Sequence, residues 1–157
     1  MRIGLTGHRE LPDGASAYVR EWLKRFTGKG ALPLEGICSL AAGTDQLFAE
    51  VVLGAGGALR VVIPSAAYET SFSSEEERAR YRDLLKRAHV VETLAFAVPE
   101  PTAYMAAGRR IVDLCDQLLA VWDGQPARGP GGTADIVAYA RDLPKPVMVV
   151  WPPGMTR

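Results

Sequence analysis

The chain has little of what would tie it to a metal, a disulfide framework or a polyanion. Its 157 residues include two cysteines and two histidines. Cys38 stands in an apolar stretch and Cys115 inside a helical pattern, and neither lies at a ligand spacing from His8 or His89, so no metal site is expected. The pair reads as buried thiols in a reducing compartment, which makes a cytoplasmic location the expectation. Charge of neither sign is in excess: 18 Lys and Arg face 18 Asp and Glu, so no global pull toward nucleic acid or an anionic membrane exists, and a nucleic-acid partner is not expected. No apolar run is long enough to cross a bilayer, and the opening "MRIGLTG" reads as a strand rather than a basic-then-apolar leader. The expectation is a soluble, unprocessed chain with no membrane partner. Also absent are a G-x-x-x-x-G-K-[ST] loop and a G-x-G-x-x-G fingerprint after a strand, which removes support from nucleoside-triphosphatase and ordinary dehydrogenase readings. No Ser-His-Asp or Cys-His arrangement is evident, and no resident cofactor is implied.

What is present is a regular alternation of strand and helix patterns. Short apolar runs bounded by turn residues predict strands at Arg2–Thr6, Glu35–Leu40, Leu59–Ile63, His89–Leu94, Gln117–Trp122 and Pro146–Trp151. Between them, apolar residues at three- and four-residue spacing predict helices at Ala15–Phe26, Thr44–Leu53, Pro101–Cys115 and Thr133–Arg141. One more helix runs to about Ala88, opened by a capping box of Ser73 or Ser74 with Glu76 or Glu77. Val-, Ile- and Leu-rich strands joined through helices imply a mainly parallel sheet of about six strands with helices on both faces, because each crossover must bring a helix back over the sheet. The fold class is therefore α/β, a single doubly wound Rossmann-like domain spanning 1–157. Such sheets bind ligands beyond the carboxyl ends of their strands.

This rule sorts the glycines. "LGAGGAL" (53–59) follows a helix and precedes a strand, so it reads as a C-cap and turn at the amino edge. Four other loops converge on the carboxyl rim: "TGHRE" after the first strand, "LAAGTD" after the second, "PSAAYETSF" after the third, and "WDG" with "GPGGT" after the fifth. Gly43 before Thr44, and Gly131 and Gly132 before Thr133, place glycine at helix starts, where free backbone N–H groups and the positive end of the helix dipole favour an anion. The plainer alternative is that Thr44 and Thr133 are only N-caps. His8 and Arg9, just past Gly7 and the first strand, are candidate phosphate donors. Asp45 and Asp123 are candidates for a ribose hydroxyl, a base amine or a water, with Gly124 beside the latter. Pro64 and Tyr68 belong to the third loop, where Tyr68 is a candidate for stacking on a base. The run "EEERARYRDLLKR" alternates in sign and reads as a solvated helix face.

The combination of "GLTGHRE", "SLAAGTDQLFAE", "RVVIPSAAYE", "CDQLLAVWDG", "GGTADIVAYA" and "KPVMVV" resembles the SLOG superfamily, Rossmann-like domains related to the LOG phosphoribohydrolases and to the core of the DNA-processing protein family. The resemblance spans nearly the whole chain. It implies a nucleotide or nucleotide-derived small-molecule ligand held around Gly7, Gly43, Thr44, Gly131, Gly132 and Thr133, and a homodimer formed through helices beside the pocket. LOG enzymes carry P-G-G-x-G-T-x-x-E, whose glutamate serves hydrolysis of the N-glycosidic bond; three residues beyond Thr133 this chain has Ile136. Asp135 sits one position earlier, about 100° around the helix. A similarity to nucleoside deoxyribosyltransferases places Asp123 at their strand-end aspartate, with Ile136 again at the glutamate. Two functions follow: a module that binds a nucleotide as sensor or carrier, or an N-glycosidic hydrolase or transferase using Asp45, Asp123 or Asp135.

Overall fold

A computed structural model describes residues 1–29, 33–127 and 132–157. Six strands form one parallel sheet: β1 (Arg2–Gly7), β2 (Glu35–Cys38), β3 (Ala58–Ser65), β4 (Val90–Phe96), β5 (Gln117–Val121) and β6 (Val147–Val150). Five helices connect them: α1 (Ala15–Lys29), α2 (Thr44–Gly54), α3 (Glu75–Lys86), α4 (Pro101–Leu114) and α5 (Thr133–Asp142). The expected doubly wound α/β architecture is present. Element ends shift by a few residues, and one feature was not anticipated, a 3-10 turn at Tyr68–Ser71.

The sheet order is β4-β3-β2-β1-β5-β6. The chain first marches from β1 to β4 toward one edge, then returns to lay β5 on the other side of β1. Right-handed crossovers marching in opposite directions put their helices on opposite faces. Accordingly α1 packs on α2 and α2 on α3 over one face, while α4 packs on α5 over the other. The strand order reverses between β1 and β5, and at that point the loops after the two strands part and leave a crevice.

The face under α1–α3 holds the larger core, in which Ile3, Leu5, Phe48, Val61 and Leu119 meet. Across the sheet, Ile37, Val62, Ile111, Leu118 and Ile136 pack beneath α4 and α5. Helix α2 is buried nearly all round, from Thr44 through Val52, because it lies between α1, α3 and the strands. Helix α3 starts as its sequence predicts: the Ser74 hydroxyl accepts the Glu77 N–H at 3.1 Å, and the Glu77 carboxylate reaches back to the Ser73 N–H at 3.0 Å. Coverage of the sheet is incomplete at its edges. β4 alternates between half-buried and exposed residues, with Val91, Thr93 and Ala95 open, since α3 packs on α2 rather than across the edge strand. Met148 and Val149 of β6 are exposed at the opposite edge.

Candidate functional site

At the reversal point the rims of β3, β2, β1 and β5 enclose a cavity of about 350 Å³. β1 delivers Gly7, His8 and Arg9, β2 delivers Ser39 and Ala41, and β3 delivers Pro64 and then Tyr68. Trp122 and Gln125 follow β5, and Gly132 and Thr133 open α5. Helix α4 closes the other side with Tyr104, Ala107, Gly108 and Ile111.

Two loop contacts fix the geometry. The backbone of Gly43 approaches so closely that a Cβ there would lie 2.1 Å from the Arg9 carbonyl oxygen, and Gly43 has φ +80°. Next to it, Thr44 Oγ1 donates to the His8 carbonyl at 2.6 Å. Gly43 and Thr44 therefore join the first two loops from behind, without lining the cavity. The N-cap positions also differ from the plainer expectation: Gly43 and Gly132 are the caps and bring no capping side chain of their own, and Thr44 and Thr133 are first helical residues.

Asp45 lines the cavity and is 7% exposed. Its Oδ2 accepts the Ser39 N–H at 3.1 Å and the Ala41 N–H at 3.2 Å, so these two backbone donors at the end of β2 are taken up by the chain's own carboxylate. Burial pushes the Asp45 carboxyl up to about 6, against the opposing pull of these two N–H groups and of Arg9. Arg9 is exposed on the rim and stacks over the Tyr104 ring, its guanidinium carbon 4.9 Å from the centroid.

Asp123 sits one layer back. Its Oδ1 accepts the Gln125 N–H at 3.1 Å across Gly124, which has φ +83°, an Asx-type turn that ends β5. The same oxygen lies 3.4 Å from His8 Nε2, and the other is 3.5 Å from Arg157 Nε. Arg157 also points Nη1 at His8 Nδ1, 2.5 Å away. The same Nη1 lies 3.2 Å from His8 Nε2, and the Asp123 N–H reaches Nε2 at 3.4 Å, so the imidazole is held between Arg157 and Asp123. Burial works against the Asp123 carboxylate, yet the Gln125 N–H, Arg157 and His8 hold it below the usual range. Trp151 packs edge-on against the His8 ring at 5.6 Å.

Of the residues singled out from sequence, the cavity brings together Gly7, His8, Arg9, Asp45, Pro64, Tyr68, Gly132 and Thr133. Gly43, Thr44, Asp123 and Gly124 support it without lining it, and Gly131 lies outside the described residues. Asp135 faces a separate surface groove between α4 and α5, beside Met105, Arg109 and Tyr139. Ile136 takes the cavity side of α5 instead, 3% exposed. A notch in α4 receives it: a Cβ on Gly108 would stand 2.2 Å from Ile136 Cδ1. Tyr68 is 1% exposed, with its ring in a cluster with Phe72 and Tyr81 at centroid distances of 5.4 and 5.6 Å. Packed in this cluster, the ring cannot stack on a ligand, although Tyr68 forms part of the cavity wall.

Sequence reasoning missed Ser39, Trp122, Gln125 and Arg157. For Arg157 a signal was available in "WPPGM". Gly154 at φ +73° and the Met155 N–H to Pro152 carbonyl bond of 3.3 Å form a turn after β6, and the Trp151 indole N–H donates to the Met155 carbonyl at 2.8 Å. This turn carries Arg157 back to β1.

The features define a parallel Rossmann-like domain with a rim cavity at the switch point, cationic on one wall and apolar beneath. No family model and no curated protein matches the sequence. Solved structures do. DNA processing protein A from Streptococcus pneumoniae aligns with a TM-score of 0.72 at 17% identity, over 94% of this chain and 49% of that one. DNA processing protein A from Helicobacter pylori, described for its single-stranded DNA binding mode, gives 0.70 at 13% identity, over 95% and 64%. The Moco carrier protein of Chlamydomonas rheinhardtii gives 0.57 at 18%, over 94% and 74%. The chain thus spans about half to two thirds of the DNA-processing proteins. Its fold is the parallel Rossmann-like α/β fold these structures share, as the alternation of strands and helices implied. No helix among the described residues is long and apolar enough to cross a membrane.

Proposed function

We propose that this domain binds a nucleotide or nucleotide-derived small molecule, such as a nucleoside monophosphate or ADP-ribose, and serves as a sensor or carrier. One observation carries the reading: at the switch point, the start of α5 at Gly132 and Thr133 lines the same cavity as His8, Arg9 and Arg157. Helix-start donors together with guanidinium groups favour a phosphate. The volume falls in the range of small-molecule sites, and the floor of Ala107, Gly108, Ile111 and Ile136 offers apolar surface to the uncharged part of the ligand. The balanced net charge favours a mononucleotide over a strand, which needs several phosphate contacts.

The N-glycosidic alternative has less support. Such chemistry uses two carboxylates flanking the sugar, and among the described residues lining the cavity Asp45 is the only one. Asp123 stands behind His8, and Asp135 faces the groove between α4 and α5. For a homodimer through the helices beside the pocket, Ala103, Ala107, Ile111 and Val112 of α4 are taken up in the core, which leaves the side of α4 along that groove. The two buried free thiols favour a reducing, cytoplasmic setting.

Calorimetric titration with nucleoside monophosphates, ADP-ribose and a single-stranded oligonucleotide tests the proposal. Saturable one-to-one binding of a mononucleotide or ADP-ribose is expected, weakened about tenfold or more in Arg157→Ala, the scale of one charge-assisted hydrogen bond. Binding of the oligonucleotide alone would overturn it, and release of free base during incubation would move the function to the enzymatic alternative.

A further inference from the structure

Among the described residues, four buried side-chain polar atoms have no hydrogen-bond partner: Gln46 Oε1, Ser65 Oγ, Tyr68 OH and Arg157 Nε. Two of their residues, Tyr68 and Arg157, line the cavity. Arg157 Nε has its ion pair with Asp123. The Tyr68 hydroxyl has no such compensation, and an unpaired buried hydroxyl is costly unless something completes it. Its position is informative. Tyr68 follows β3 and Asp45 follows the β2 loop, whereas Gly132 and Thr133 stand beyond β5. Adjacent strands are roughly 4.8 Å apart, and β1 lies between β2 and β5, so the two ends of the cavity are separated by roughly 10 Å or more.

We propose that Asp45 and Tyr68 form a second subsite at the end of the cavity away from the α5 start, one that takes an uncharged, hydrogen-donating group of the ligand. The inference rests on the proposed binding of a nucleotide-like anion and specifies what else that ligand must carry. A second phosphate is disfavoured here, since Asp45 is a carboxylate already supplied with the Ser39 and Ala41 N–H groups. A neutral hydroxyl donates to that carboxylate and accepts from the phenol on its own oxygen; a base amine donates likewise, and the ring nitrogen beside it accepts from the phenol. Burial and Asp45 push the Tyr68 phenol well above its ordinary value, so it remains a proton donor throughout the neutral range. The hydroxyl is buried, with Arg9, exposed on the rim, as its electrostatic neighbour. Two sources present this chemistry: a sugar hydroxyl and an exocyclic base amine.

The test compares adenosine 5′-monophosphate with its 2′-deoxy and 3′-deoxy analogues and with inosine 5′-monophosphate, by calorimetry on the wild type, Tyr68→Phe and Asp45→Asn. Wild type is expected to bind one of the altered ligands about tenfold more weakly, a loss on a deoxy analogue assigning the sugar hydroxyl and a loss on inosine monophosphate the base amine. Tyr68→Phe is expected to bind adenosine monophosphate about five- to tenfold more weakly, to lose the discrimination, and to keep or raise Tm, because it removes an unpaired buried hydroxyl. Asp45→Asn is expected to lose the discrimination as well, which keeps the test decisive if one variant folds poorly. Equal binding of all four ligands by the wild type, or unchanged discrimination in both variants, overturns this subsite while leaving the anion reading intact. Failure of every ligand to bind the wild type overturns both.

Discussion

Gly43→Ala is expected to lower the stability of the domain by about 3 kcal/mol or more, the sum of backbone strain and overpacking. Gly43 adopts φ +80° with ψ −118°, a combination that side chains rarely tolerate. A Cβ there would also meet a backbone atom, the Arg9 carbonyl oxygen, at 2.1 Å, and no rotamer change relieves such a clash. The joint between the first and second loops would have to open, and with it the Thr44 to His8 bond. For a chain of this size the loss corresponds to a fall in Tm of about 10 °C. Gly14→Ala is the matched control, because Gly14 has φ +83° but nothing within 4 Å of the place a Cβ would take. Its expected cost is only about 1 kcal/mol. Thermal and urea unfolding of the two variants separates the strain from the clash, and equal losses would show that the loops are not in contact.

The second large effect belongs to Asp45. Its carboxyl is raised from 3.8 to about 6 in the folded chain. Below the unfolded value both states are protonated and the group contributes nothing. Between about pH 4 and 6 the unfolded chain releases the proton while the folded chain retains it, so stability falls as pH rises, and above about pH 6 the loss is constant. Two pKa units correspond to about 3 kcal/mol. Asp45→Asn keeps an oxygen to accept the Ser39 and Ala41 N–H groups and removes the buried charge. It is therefore expected to match the wild type near pH 4 and to exceed it by up to about 3 kcal/mol at pH 7 to 8. Urea denaturation across this range reads the difference directly, and parallel pH profiles for the two proteins would refute the raised carboxyl. A wild type that keeps a destabilising carboxylate at its cavity is the pattern expected of a binding group.

The alternation of elements was legible because apolar periodicity and punctuation agree along the chain. "LGAGGAL" reads correctly as a turn at the amino edge, and Ser74 with Glu77 as the start of α3, since both depend on near neighbours. Local signals failed where tertiary contacts decide. A glycine followed by threonine gives no indication that Thr44 turns inward to His8, or that the Ser39 and Ala41 N–H groups are taken up by Asp45. Tyr68 in a long loop resembles an exposed stacking residue, and only its packing against Phe72 and Tyr81 shows otherwise. Ile136 was visible as the missing glutamate; that it fits a notch at Gly108 depends on the crossing of α4 and α5. Arg157 reaches His8 across 149 positions, a closure that the Pro-Pro-Gly turn permits but does not announce.

The central claim is that the rim cavity holds the anion of a nucleotide-like ligand between the α5 start and the β1 loop. Titration of the ¹⁵N-labelled domain with adenosine 5′-monophosphate, followed by ¹⁵N–¹H correlation spectra, tests it most directly. The account predicts saturable shifts concentrated at Gly7 to Arg9, Ser39 to Asp45, Gly132 to Ala134 and Ile136, with the groove residues Ala138, Tyr139 and Asp142 and the facing Met105 and Arg109 of α4 little changed. Shifts centred on the groove of Met105, Arg109 and Tyr139, or no shifts at saturating nucleotide, would contradict it.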